Sequence, residues 1–188
     1  FYAGALREEK GVGDCLEALR LLRHSGRTIH FSFAGSGDPR VWRERSTHLG
    51  VAEFASFLGT VSNSDVRRMM RMHDVIVVPS RHNYPEGMPK TICEALASRT
   101  PLLISDHPSF EGRLLHERDC LVFRAGDSMS LADAVSRLSD EPALYQSLST
   151  ASEKALEKLH FGLEWTMLIR QFVEDPENLT GWVERNSL

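Results

Sequence analysis

The sequence predicts an α/β fold, a Rossmann-like doubly wound parallel sheet of about six strands with helices on both faces. Three observations lead there. Short apolar runs alternate with helical patterns along most of the 188 residues. The run at Val75–Pro79 is too apolar for a strand with one wet face, so it suits burial on both faces of a parallel sheet. Glycine or polar turn residues close most of the runs.

Each element follows from its own pattern. Phe1–Gly4 reads as a strand, followed by a charged, glycine-containing loop. Asp14–His24 carries Cys15, Leu16, Ala18, Leu19, Leu21 and Leu22 at helical spacing, with Asp14 placed to cap it and Ser25-Gly26 to end it. Thr28–Ala34 alternates apolar and polar residues, as a strand does, and Gly35-Ser36-Gly37 breaks it. Arg40–Leu49 is a polar helix. Phe54–Leu58 is a third strand, closed by Gly59. Ser62 or Asn63 caps a helix through Met72 that turns Val66, Met69 and Met70 inward; the cluster of Met69, Met70 and Met72 reads most simply as core. Val75–Pro79 is the fourth strand. A helix over Pro89–Ala97, the strand Leu102–Ser105 and a short strand Cys120–Phe123 come next. Met129–Ser139 and Pro142–His160 are amphipathic helices, and Glu164–Val173 is a last helix before a polar tail. The division that results is a domain over 1–174 and a tail over 175–188.

In such sheets ligands bind outside the carboxyl ends of the strands. The loops there are Leu6–Gly13, Gly35–Asp38, Gly59–Ser62, Ser80–Pro89 and Asp106–Gly112. They are where function is expected.

Composition excludes several classes. A formal net charge of −4 leaves no basic footprint, so no nucleic-acid partner is expected. No run approaches the roughly eighteen apolar residues of a membrane span. The three cysteines, Cys15, Cys93 and Cys120, are scattered and not in CxxC spacing, which argues against a disulfide framework and for a reducing, cytoplasmic setting. The eight histidines form no metal pair, so no metal site is read. The chain opens inside a strand with no initiator Met and no signal peptide, so a preceding segment is expected.

The stretch Tyr84–Leu96, YPEGMPKTICEAL, carries the sharpest chemistry. Pro89 suits a first helical turn, where its missing N–H is not needed. The N–H groups near Gly87–Lys90 then lack intrahelical partners, and with the helix dipole they make an anion site. Gly87 permits close approach of a ligand to the backbone. Glu86 and Glu94 stand eight positions apart, roughly 12 Å if the whole stretch were helical. A diphosphate on the helix mouth, with a carboxylate for hydroxyl groups on either side, fits that spacing. Spacing alone equally allows a solvated loop acid and an exposed helix acid.

Weaker signals accompany it. Lys10, beside Gly11 and Gly13, could neutralise a phosphate; a solvated charged turn fits the same residues. Neither a Walker loop nor GxGxxG is present. Gly35, Gly37, Gly59, Thr60 and Val61 form strand-end turns on which a base could lie. Arg81 and His82 occupy the loop before Glu86, where solvation and phosphate contact are equally open.

Taken in order, the blocks YAGALREEKGVGDCLEAL, FSFAGSGDP, ASFLGTVSNSDV, HDVIVVPSR, PEGMPKTICEALASRTPLLISDHPSF and CLVFRAGD resemble the C-terminal, donor-binding domain of GT-B retaining glycosyltransferases of the family 4 type, also called glycosyl transferases group 1. The resemblance runs from Phe1 to about Phe172. It implies that Glu86 bonds hydroxyls of a donor sugar and Glu94 the ribose, that Gly87 and Met88 face the diphosphate, and that Lys10 neutralises it. It implies a nucleotide diphosphate sugar as substrate, an unknown acceptor, no cofactor and no bound metal. It also implies an N-terminal acceptor domain of the same polypeptide, against which the last helix would pack, and leaves membrane association of the full-length protein open. Two departures stand out. Family members commonly carry an arginine where Ala5 stands, a loss for which Arg81 could compensate, and Pro108-Ser109-Phe110-Glu111 lacks a glycine pair. A non-catalytic nucleotide-sugar-binding module and a GT-B epimerase are the alternatives; a phosphorylase fits less well.

Overall fold

Six short parallel strands alternate with helices in the computed structural model, which describes residues 1–159 and 165–186. The strands are β1 (Tyr2–Ala3), β2 (Phe31–Ala34), β3 (Ala55–Gly59), β4 (Ile76–Val78), β5 (Leu102–Ser105) and β6 (Leu121–Phe123). The helices are α1 (Val12–His24), α2 (Pro39–His48), α3 (Asn63–Met72), α4 (Lys90–Ser98), α5 (Ser128–Asp140), α6 (Pro142–Leu159), α7 (Trp165–Glu174) and α8 (Leu179–Asn186). His160 and Glu164, expected at helix ends, lie outside the described residues.

The strands form two parallel ladders, β1-β2-β3 and β4-β5-β6. They meet at β1 and β4, where Val77 N donates to Phe1 O at 2.9 Å and the Phe1 amine donates to Val75 O at 2.6 Å. The combined order is β3-β2-β1-β4-β5-β6, that of a doubly wound sheet whose direction of winding reverses between β1 and β4. Alternation decides the two cores. Val77, Leu103 and Leu121 face α1 and α5, packing with Leu16, Leu19, Leu131 and Leu138. Ile76, Val78, Leu102 and Ile104 face the other way, onto Met70 of α3, Ile92 and Leu96 of α4, and Ala155 of α6.

Capping sets several helix starts. Asp38, Ser62 and Asp127 each accept a backbone N–H at the mouths of α2, α3 and α5. Asp14, expected to cap α1, does not. The helix begins two residues earlier, at Val12, with Gly11 as its N-cap, and Asp14 lies buried inside its first turn. Pro89 stands just outside α4 with extended backbone rather than within its first turn. Of the methionine cluster, Met70 is fully buried and Met69 half-buried, but Met72 is 76% exposed because it falls at the last position of α3. The polar segment after Val173 is largely helical: a 3-10 turn, Pro176–Asn178, leads into α8. No described helix is long and apolar enough to cross a membrane.

Candidate functional site

The reversal between β1 and β4 brings two distant loops together. The chain leaving β1 runs to Lys10; the chain leaving β4 runs to Glu86. Gly11 makes a close approach between them possible. Its φ of 76° lies in the left-handed region, and a Cβ there would stand 2.1 Å from the Pro79 carbonyl oxygen. Arg81 N donates to Glu9 O at 2.9 Å and fastens the two loops further.

Lys10 Nζ bonds Glu86 Oε2 directly, with both side chains largely buried. The Lys10 ammonium also lies 4.5 Å from the centre of the Tyr84 ring, a cation–π contact. Ser80 Oγ donates to the same Glu86 oxygen at 2.6 Å, and Ser105 Oγ donates to Ser80 O at 2.6 Å. Ser109 Oγ donates to Glu86 O at 2.6 Å. His107 accepts the Ser109 N–H on Nδ1, which puts its proton on Nε2, donating to Tyr84 O at 3.0 Å. The loop after β5 thus holds the Glu86 loop by both side-chain and backbone contacts. Ser80, Ser105, Ser109, His107 and Tyr84 were not singled out from the sequence as site residues. The signal available was a serine at the end of two buried apolar runs, Ser80 after Val75–Pro79 and Ser105 closing Leu102–Ser105.

Glu86 sits in a loop four residues before α4, so the expected uniform helical rise does not join it to Glu94. Glu94 is 12% exposed at its side chain. Lys90 Nζ stands 3.2 Å from its Oε1 but out of line for a hydrogen bond, and that buried oxygen has no hydrogen-bond partner. An unsatisfied buried carboxylate oxygen is costly and calls for a donor. The N-terminus of α4 has no side-chain cap and no acid in its first turn. Beside it, the Cβ direction of Gly87 meets nothing within 4 Å.

Arg81 lies elsewhere in this network. Its guanidinium grips Asp14 through Nε at 2.9 Å and Nη2 at 2.6 Å, and Nη2 also reaches Glu8 Oε1 at 2.8 Å. Those bonds, to Asp14 above all, push its pKa further up against the opposing effect of burial. Arg45 holds the other Glu8 oxygen at 2.7 Å. Arg81 is therefore a fixed brace between α1 and the two loops. Gly35 and Gly37 turn the chain after β2 with positive φ, and a Cβ on Gly35 would meet Gly4 O at 1.7 Å. Gly59 turns it after β3 at φ 70°, followed by Thr60 and Val61. Two cavities, of about 460 and 560 Å³, lie at the amino ends of the strands and beside residues 104–122. Neither is lined by Lys10, Glu86 or Glu94. The paired charges, the orphan oxygen and the bare helix end mark the site more directly than enclosed volume does.

The family model for glycosyl transferases group 1 matches residues 1–141. The chain belongs to that family. A putative teichuronic acid biosynthesis glycosyltransferase from Bacillus subtilis is 30% identical over 140 residues, covering 74% of this chain and 32% of that protein. The chain spans about a third of the length of the curated relatives it matches. Among solved structures, the Anabaena protein HepE in complex with UDP superposes with a TM-score of 0.73 at 17% identity, over 84% of this chain and 44% of that one. The C-terminal domain of a group 1 glycosyltransferase, LpcC from Francisella tularensis, gives 0.71 at 16%, over 83% of both chains. These likenesses establish the fold, the Rossmann-like C-terminal half of GT-B glycosyltransferases.

Proposed function

We propose that this glycosyltransferase domain binds the donor in a retaining transfer of a sugar from a nucleotide diphosphate sugar to an acceptor held by another domain. The observation that carries the reading is the buried, unpartnered Oε1 of Glu94 beside the uncapped mouth of α4. A ribose hydroxyl would satisfy that oxygen. A diphosphate would accept the N–H groups of the helix mouth and gain from its dipole. Lys10 would turn from Glu86 to the diphosphate and stabilise the charge on the leaving group. Glu86, so released, would accept hydroxyls of the sugar, while Met88 and the open side of Gly87 would border the diphosphate and sugar. The turns at Gly35, Gly37, Gly59, Thr60 and Val61 would flank the base. The chemistry is proposed to need no metal, the positive charge coming from the helix and lysine.

The isolated domain is expected to bind donor without turning it over, because the cleft that excludes water needs its second wall. UDP is bound by the Anabaena structural neighbour, which makes it the first probe. Calorimetry of the chain with UDP, GDP and ADP tests the reading. Submillimolar binding of at least one is expected; no binding by any at millimolar concentration removes it.

A further inference from the structure

We propose that Lys90 is the second cation of the diphosphate subsite, parked on Glu94 until the donor arrives. The inference rests on the donor-site reading and adds to it the residue that completes the charge balance. A nucleoside diphosphate brings two or more negative charges to the mouth of α4, and Lys10 offsets one. Arg81, the other cation of the adjoining loop, is committed to Asp14 and Glu8 by three hydrogen bonds. Moving it would strip Asp14, whose side chain is 5% exposed, of its partner.

Lys90 is differently placed. It is the first residue of α4, and its side chain is 64% exposed. A cation there sits at the positive end of the helix dipole, where it is disfavoured unless an anion is close. Among the described residues the anion paired with it is Glu94, one turn further in. That pair has the weaker orientation, lysine before glutamate, and its 3.2 Å contact is too poorly aligned to be a hydrogen bond. Glu94 Oε1 is thus buried and left without a donor while the ammonium hovers beside it. Both groups gain if a ligand comes between them. A diphosphate at the helix mouth takes the ammonium, and a hydroxyl takes the oxygen. The arrangement parallels Lys10 on Glu86, so each acid of the site holds a lysine that a diphosphate would draw away.

The test titrates the chain, Lys90→Met and Lys90→Arg with UDP, GDP and ADP by calorimetry at low and high ionic strength. For whichever diphosphate the parent binds best, Lys90→Met should weaken binding roughly fivefold to tenfold at low salt. Lys90→Arg should return it to within about twofold, and the gap between parent and Lys90→Met should narrow as salt rises. A merely structural role would produce neither the rescue by charge nor the salt dependence. Equal affinity of Lys90→Met and parent, or failure of arginine to rescue, overturns the inference and leaves the donor site standing. Binding of none of the three nucleotides by the parent removes the donor site, and Lys90's role with it.

Discussion

Two carboxylates divide the work of the proposed site, and their surroundings differ in kind. Glu86 is held by Lys10 and Ser80 on one oxygen and by Ser109 on its backbone carbonyl. Glu94 projects from the second turn of a helix with a buried oxygen unsatisfied. Glu94→Gln should therefore weaken binding of a nucleoside diphosphate, by about tenfold for the loss of a charged hydrogen bond. Glu86→Gln, which frees Lys10, should not weaken binding of the nucleoside diphosphate and should reduce the extra affinity that a sugar confers. Calorimetry with UDP and UDP-glucose, or the matching pair for another base, measures both. Equal affinity of both variants and the parent for the intact donor refutes the division. The spacing of the two acids was legible in the chain, and their reading as a pair came from the family resemblance. What each touches was not, because Lys10 and Ser105 approach the Glu86 loop from strands far away in sequence.

At the scale of elements, the close packing of the β1 and β4 loops decides whether the site exists. Gly11 is a point of contact, where an added Cβ would stand 2.1 Å from the Pro79 carbonyl oxygen, well inside van der Waals contact distance. Gly11→Ala would add both a left-handed backbone penalty and a collision with backbone that cannot rotate away. A loss of roughly 2–4 kcal/mol in urea unfolding is expected, with nucleotide binding reduced in parallel. Replacing Gly26, also at positive φ but with nothing within 4 Å, should cost only the backbone penalty of about 1 kcal/mol. A Gly11→Ala protein as stable as Gly26→Ala would show that the contact is not tight. Helix boundaries were recovered from apolar periodicity to within a few residues. Caps were not always: Gly11 rather than Asp14 stands at the N-terminus of α1, and Asp14 pairs with Arg81 instead.

Across the whole molecule, α6 is tied to the loop before β6 through Asp119. This carboxylate is 2% exposed, accepts Leu115 N–H at 3.1 Å and meets Lys158 at 3.2 Å and Arg118 at 3.4 Å. Burial pushes its pKa up, but the Leu115 N–H and the two cations outweigh that and hold it below the ordinary range. The charged form is thus favoured on folding. Its contribution is complete above the unfolded-state value near ~3.9 and is lost as pH falls through the lower folded value. Urea midpoints measured from pH 5 down to pH 2 should drop through that window, and Asp119→Asn should flatten this component while lowering the midpoint at neutral pH. An unchanged acid limb in the variant would assign the drop to other carboxylates.

The alternation of apolar runs and amphipathic stretches by itself determined the fold class and the six strands. These are local properties: side-chain periodicity and turn chemistry act over a few residues. Only the tertiary structure decided the pairing of Lys10 with Glu86, the commitment of Arg81 to Asp14 and Glu8, and the orphan oxygen of Glu94 beside Lys90. Each depends on which loops the reversal of the sheet brings within hydrogen-bonding reach, and a spacing along the chain carries no information about distance between strands.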